Sequence, residues 1–445
     1  MDKARYRRKE AKPNKMNTLV GLEHEYRLEQ DGAVDFRLLI HKLGLANAHL
    51  DPSDPNAYRL PCGASLTCDE REAELALPPT LLTGGFSLAV ETRANEAYAL
   101  LKQVLPAGIR IEGYSTHISI SIDPTRREQV ALLLACTFAP ALMLLTDRQT
   151  SPGLLVRPRP KRIELGGEYV TGRRLRAALA VAVGSVRACL SGKNPPRLAL
   201  QLALDHSRYG WYVDRRAFGP DLYSEGRQAR LRLADGGTIT AQEQLEASWE
   251  IARETITGLA DETDLEPADK MIAGVEPLPI EGPDEERIEN SHQAPIEPSI
   301  YGTILGPRVR PGYELAPVMV SWAVCVFVIV NPNDSRRAFA CVPGQDLERF
   351  LGQLESGMLD ALICDYLNRP ATGQTLNQYD QSMKFGLYDD LGARRNLMAP
   401  ELEIWAKRWR RLVIARQMNM PLRRNVVNPI SRVFTSVMER TLNYG

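Results

Sequence analysis

The chain reads as an α+β protein in which a curved antiparallel sheet lines a cleft and a mostly helical C-terminal region follows. Three observations predict this. Four segments within the first 170 residues alternate apolar and polar side chains with the period of two that belongs to extended chain. Long stretches with helical spacing separate them. From residue 346 onward the pattern is almost wholly helical.

The first segment is Gly21-Leu22-Glu23-His24-Glu25-Tyr26-Arg27-Leu28. Leu22, His24, Tyr26 and Leu28 fall on one side, and Glu23, Glu25, Arg27 and Glu29 on the other. A turn and a helix follow at 31–45, and the Asp/Pro/Ser/Asn run at 51–56 is loop chemistry. In the second segment, 66–79, Glu72 and Glu74 share a face, Ala73, Leu75 and Leu77 oppose them, and Pro78-Pro79 stops the strand. Residues 87–105 carry helical spacing and good helix formers. The third segment, Gly113 to Ile122, puts Ile118, Ile120 and Ile122 on its buried side and His117, Ser119 and Ser121 on its polar side. A helix is expected over 125–145. Its apolar part, 130–145, is shorter than the roughly 20 residues a bilayer needs and contains Pro140, so it reads as buried.

The fourth segment, 157–168, brings Arg157, Arg159, Lys161 and Arg162 up to an acidic strand. Arg162 and Glu164 share a face, Ile163 and Leu165 take the other, and Gly166-Gly167 mark a bend or a close approach. Helices are expected at 172–190 and 240–259, and strands at 198–204, 209–214 and 228–233. Residues 261–298 hold twelve acids and two bases with several prolines, which predicts a long loop. The valine-rich run 318–330 predicts one central strand, and helices are expected at 346–367, 400–418 and 430–442. The domain reading is a disordered basic arm over 1–16, a catalytic domain over 17–345 and a helical region over 346–445.

The composition is that of an ordinary globular protein: 445 residues, formally neutral, 44% hydrophobic and 25% charged. Neutrality gives no bias toward nucleic acid or membrane. Trp405 and Trp409 sit among basic residues at helical spacing, which reads as a solvated rim and not as a nucleic-acid surface. The seven cysteines are scattered without a CxxC pair, as in a reduced cytoplasmic protein. The polar N-terminus has no apolar core region and is no secretory signal. No membrane partner is expected, and a homo-oligomer is compatible with the sequence.

The polar faces of the four segments would hold Glu23, Glu25, Glu72, Glu74, His117, Arg162 and Glu164 in one cleft. Five carboxylates so placed would force one another to protonate unless divalent cations compensate them. An arginine beside them suits a phosphate. Together these groups describe a nucleotide phosphoryl-transfer site.

These residues resemble a known family. Gly21-Leu22-Glu23-His24-Glu25 is similar to the opening Gly-x-Glu-x-Glu strand of the glutamine synthetase and glutamate–cysteine ligase superfamily. Glu74 to Pro79 resembles that family's Glu-x-x-x-Pro-Pro, Thr116 to Ser121 its His-containing strand, and Arg162-Ile163-Glu164 the start of its Arg-x-Glu-x-Arg strand, in the family's order. The resemblance spans residues 17–171. It implies that Glu23, Glu25, Glu74 and Glu164 ligate Mg²⁺ or Mn²⁺, that His117 contacts metal or phosphate, and that Arg162 meets the phosphates of ATP. Glu72 joins as a further contact to the cofactor. Position 166 is Gly where the family has a second Arg, and Lys161, Arg159 or Arg173 is expected in its place. No Asn-Gly-Ser-Gly loop precedes His117, which favours the divergent ligases over glutamine synthetase.

The implied activity is ATP-dependent carbon–nitrogen ligation through an acyl phosphate, with small-molecule or peptide carboxylates and amines as substrates. Alternatives are an amide-cleaving or phosphotransfer enzyme on the same fold, and a non-catalytic binding protein.

Overall fold

The computed structural model describes residues 19–43, 58–60, 64–199, 203–205, 210–282, 308–320, 324–333, 337–343, 346–368, 378–380 and 385–388. The expected arm at 1–16 and the expected helices at 400–418 and 430–442 lie outside the described residues.

The first strands are β1 (Leu19–Glu29), β2 (Ala33–Val34), β3 (Tyr58–Arg59), β4 (Ser65–Asp69), β5 (Glu72–Ala76) and β6 (Thr80–Leu81). They are followed by β7 (Arg110–Ser121), β8 (Gly153–Arg159), β9 (Arg162–Glu168), β10 (Ala203–Asp205) and β11 (Gly210–Asp214). All belong to one 11-stranded sheet in the order β10-β11-β8-β9-β7-β1-β5-β4-β3, with β2 and β6 paired to β1. The pairs within it are antiparallel. The alternation read from the sequence sets the faces: Val20, Leu22, Tyr26, Ile118, Ile120, Ile122, Ile163 and Leu165 all enter the core.

Helices cover that apolar face: α1 (Phe36–Leu39), α2 (Phe86–Val104), α3 (Arg127–Thr137), α4 (Ala139–Thr146) and α5 (Gly172–Ser191). Then come α6 (Leu222–Glu225), α7 (Ala241–Ile256) and α8 (Glu262–Ile272). α5 is buried along most of its length because it runs between α7, α8 and the sheet. Strands β12 (Arg230–Arg232) and β13 (Thr238–Thr240) form a separate hairpin.

Several expectations need correction, among them the helical reading of 346–445, which contains the strands Gln378–Asp380 and Phe385–Tyr388 and whose first helix, expected over 346–367, is two. The helix expected over 125–145 is two helices, bent by 74° at Phe138, because Pro140 starts a new helical turn and lacks the N–H that would continue the old one. No single helix among the described residues is long and apolar enough to cross a membrane. The loop expected over 261–298 begins as α8, since Asp261 and Asp264 form a capping box and Leu265, Ala268, Met271 and Ile272 give the helix a buried face. The remainder, 283–298, lies outside the described residues.

A second sheet follows, made of β14 (Arg308–Arg310), β15 (Tyr313–Val320), β16 (Val324–Val330), β17 (Arg337–Pro343), β18 (Gln378–Asp380) and β19 (Phe385–Tyr388). Its order is β14-β15-β16-β17-β19-β18. The run 318–330, expected as one strand, is shared between β15 and β16, which pair antiparallel with Val320 opposite Cys325. A continuous apolar run does not mark where one strand ends and the next begins. Helices α9 (Leu347–Glu355) and α10 (Asp360–Asn368) are separated at Gly357, whose φ is 78°. Their Phe350, Leu354, Ile363 and Tyr366 share a hydrophobic cluster with Phe327 and Ile329 of this sheet, distinct from the cluster of the first sheet.

Candidate active site

The sheet register brings the four polar faces together. Glu23 stands opposite His117 and Ala76, Glu25 opposite Ser115 and Glu74, Ser119 opposite Glu164, and Glu164 opposite Arg157. Side chains directly opposite on neighbouring strands are close enough to interact, so each row is a line of contacts across the face. A bulge in the β1–β7 pair between Glu25 and Tyr26 shifts the register, leaving Tyr114 exposed at the rim with the Arg27 guanidinium 3.8 Å from its ring centroid.

His117 lies in the middle. Its Nδ1 is 3.4 Å from Glu23 Oε2 and 3.7 Å from Glu25 Oε1. Burial works against protonating the imidazole, but the hydrogen bond to Glu23 and the charges of Glu25, Glu23 and Glu164 outweigh it and raise its pKa. Gly166 serves this histidine: a Cβ there would be 3.3 Å from His117 Cδ2 and 3.6 Å from Leu155 Cβ. The ring occupies the space a side chain at 166 would need, which is a local reason for glycine at that position.

The acidic side of the face holds Glu25, Glu74 and Asp69. Ser115 Oγ donates to Glu25 Oε2 at 2.6 Å, while Glu25 Oε1 is buried with no hydrogen-bond donor. Glu74 is pushed well above the usual carboxylate range, first by burial and then by the charges of Glu23, Glu25, Asp69 and Glu164. Burial likewise raises Glu25, against the pull of His117 and Ser115. A carboxyl oxygen from each of Glu25, Asp69 and Glu74 can be chosen so that all lie within 4.8 Å of one another. Hard oxygen donors, an unsatisfied buried oxygen and like charges that repel fit a divalent cation such as Mg²⁺. Asp69 was not singled out from the sequence. It arrives because 66–77 is a hairpin turning at Glu70-Arg71, which sets Asp69 opposite Glu72. The charged run Asp69-Glu70-Arg71-Glu72 is the signal that could have shown the turn.

Glu164 belongs to a different environment. Its Oε1 pairs with Arg157 Nη2, and its Oε2 is 3.1 Å from Arg162 Nη2 and 3.4 Å from Arg159 Nε. Burial would raise its pKa, but Arg157, Arg162, His117 and Arg159 together hold it below the usual range. Arg162 Nε also donates to Ser119 Oγ at 3.1 Å. Glu23, His117 and Glu164 also offer atoms within 4.8 Å of one another, but there the carboxylate of Glu164 is already compensated by guanidiniums. The Glu25–Asp69–Glu74 group is the better fit to a metal.

The other expected residues lie further out. Glu72 is at the rim, 3.7 Å from Arg27 Nε, and accepts from the backbone N–H of Arg71. Lys161 is in the β8–β9 turn with φ 64°; burial lowers its pKa, and the charge of Asp346 acts in the opposite direction. Arg173, on α5, pairs with Glu266 and Glu276 at 2.7 Å each. Arg157 was read from the sequence only as part of a basic flank. Its place on the polar face follows from the β8–β9 hairpin, in which Arg159 opposes Arg162 and Arg157 opposes Glu164.

No protein-family model matches the chain, and no curated protein matches it. Solved structures similar to part of it include the following two. One is a complex between the prokaryotic ubiquitin-like protein Pup and its ligase PafA, with a TM-score of 0.37, 12% identity, and coverage of 59% of this chain and 64% of that one. The other is the Pup ligase PafA in complex with ADP, with a TM-score of 0.30, 11% identity, and coverage of 54% of this chain and 64% of that one. The chain thus spans 64% of the length of each of these two structures.

Proposed function

We propose that this chain is an ATP-dependent carbon–nitrogen ligase that joins a carboxylate to an amine through an acyl phosphate. The observation that carries this reading is the sorting of charge across one face of the sheet. Glu25, Asp69 and Glu74 form an acidic end, Arg157, Arg159 and Arg162 a basic end, and His117 stands between them. A metal–polyphosphate has that same polarity, with cation at one end and oxyanions at the other.

In this reading a substrate carboxylate oxygen attacks the γ-phosphorus of ATP and ADP departs. The amine nitrogen then attacks the acyl carbon, phosphate departs, the amide forms and the amine loses a proton. Mg²⁺ or Mn²⁺ held by Glu25, Asp69 and Glu74 would neutralise charge on the phosphates. Glu23 holds His117 by its Nδ1, and Arg162 orients a phosphate by a bidentate contact.

The test is ADP release from ATP with Mg²⁺ and pooled carboxylates and amines, including a ubiquitin-like protein among the carboxylates. We expect release that needs both a carboxylate and an amine, with a product whose mass is their sum less one water. ADP release indifferent to every carboxylate and amine, with no amide found by mass spectrometry, would overturn the reading.

A further inference from the structure

We infer that the outer face of the β12–β13 hairpin, with the segment beside it, is a docking surface for an extended acidic polypeptide. It goes beyond the function proposed above and shares no residue with the polar face of the first sheet. In the hairpin Arg230 stands opposite Thr240, Leu231 opposite Ile239 and Arg232 opposite Thr238. Leu231 is fully buried, so the period of two turns Arg230 and Arg232 outward, and both are exposed. A third line of chain joins the hairpin through an antiparallel bridge between Leu198 and Leu233. The Ala199 N–H donates to the Arg232 carbonyl, and the Ala234 N–H to the Arg197 carbonyl. Leu198 is buried on the side of Leu231, which puts Arg197 on the outer face, where it too is exposed.

Arg230 and Arg232 are thus about 7 Å apart along one strand. Arg197 lies on the diagonal from Arg232, about 7–8 Å across. No ion pair joins any of the three to an acid among the described residues. The acids around them are committed elsewhere. Asp221 pairs with Arg215 and Arg216, and Asp235 accepts from the backbone N–H of Gly237. Glu243 accepts from the N–H and the hydroxyl of Thr240 at 2.8 Å each. Like charges side by side on a sheet destabilise it, and an anion lying across the face would relieve that repulsion.

The spacing selects the partner. An extended polypeptide sends every second side chain to one side, about 7 Å apart. Carboxylates at i and i+2 therefore match Arg230 and Arg232, and each guanidinium can take a carboxylate by a two-pronged contact. Thr238 is exposed in the row of Arg232 and adds a hydroxyl that can donate. Single-stranded nucleic acid is held by aromatic side chains on which bases stack, and the outer face formed by Arg197, Arg230, Arg232, Thr238 and Thr240 has none. A duplex is held by the summed charge on its phosphates, and this chain is formally neutral.

The experiment uses the full chain and a labelled peptide of alternating Glu and Thr, with binding followed by fluorescence anisotropy at physiological ionic strength. A DNA duplex of equal net charge is the comparison. Arg197→Gln/Arg230→Gln/Arg232→Gln is the first variant, and Arg232→Gln alone is the second, in case the triple change disturbs the fold. Thermal melts establish that each is folded. We expect the wild type to bind the peptide more tightly than the duplex. Peptide affinity should fall about tenfold in the triple variant and about threefold in Arg232→Gln, since exposed ion pairs are individually weak.

Wild-type peptide affinity in the folded variants, or no binding of the peptide by the wild type, would overturn the surface. Tighter binding of the duplex with the same dependence on the arginines would replace the acidic polypeptide by nucleic acid. ADP release enters none of these outcomes, so the surface and the ligase stand or fall separately.

Discussion

At the scale of single residues, the polar face is under strain that a cation would relieve. Glu74 is raised by burial and by four neighbouring carboxylates, so in the metal-free protein its ionised form opposes folding. A carboxyl whose folded pKa lies above its unfolded one stabilises the fold at low pH, and that contribution is lost as pH rises through the folded value. Glu74→Gln removes the repulsion and one metal oxygen together. At neutral pH with EDTA its melting temperature should therefore exceed the wild type's. With Mg²⁺ the order should reverse, because the wild type alone gains the full linkage, about 2.7 kcal/mol at a hundredfold excess over Kd. A variant that melts below the wild type in EDTA, or gains as much from Mg²⁺, would remove Glu74 from the metal group. Much of this face was legible in the sequence. Period-two alternation places Glu23, Glu25, Glu74, His117 and Glu164 on one side without knowledge of pairing. Asp69 and Arg157 were not legible because their positions depend on where two hairpins turn, and a one-residue change of register moves a side chain to the opposite face.

At the scale of elements, what the sequence hides is mostly where an element is interrupted. Composition marks 130–145 as buried but does not show the bend at Phe138. The acidic, proline-bearing stretch after Asp261 opposes helix formation by propensity, yet α8 forms because tertiary contacts override it. The Asp264 carboxylate, fully buried, accepts from the backbone N–H groups of Gly85 and Ser87 and from Ser87 Oγ, so it caps α2 as well as its own helix. Helix packing offers a direct test. Gly184 of α5 faces α7 so closely that a Cβ there would lie 2.7 Å from both the Cβ and the carbonyl oxygen of Ala252. In an open helix Gly→Ala gains about 1 kcal/mol. Here the added methyl must push two backbones apart, and overpacking of that kind costs about 1–3 kcal/mol. Gly184→Ala should therefore lower the urea midpoint with m unchanged. A raised midpoint would mean that the two helices are not held at this separation.

At the scale of the whole molecule, one carboxyl ties the sheet to the helices over it and makes stability depend on pH. Asp147 caps the end of α4 and is fully buried. It accepts from the backbone N–H of Glu168 at the end of β9, from Thr146 Oγ, and from the hydroxyl of Tyr223 on α6. Burial pushes its pKa up to about 7 from 3.8, the donors from Tyr223 and Glu168 pulling the other way. The folded value is the higher one, so its contribution to stability is complete below pH 3.8, declines as pH rises, and is gone above about 7. Across that window the slope from this one proton approaches about 1.4 kcal/mol per pH unit. Other carboxyls titrate in the same range, so the informative quantity is the difference between wild type and Asp147→Asn. Asparagine keeps the size and can still accept from Glu168, and its amide can donate to the Tyr223 oxygen once that hydroxyl turns. Urea midpoints taken from pH 4 to pH 8 should therefore show the wild type losing ground steadily to the variant, with the difference levelling off above about pH 7. A difference that stays flat from pH 4 upward would mean that Asp147 ionises in the fold at its ordinary pKa, and that the donors around it outweigh its burial.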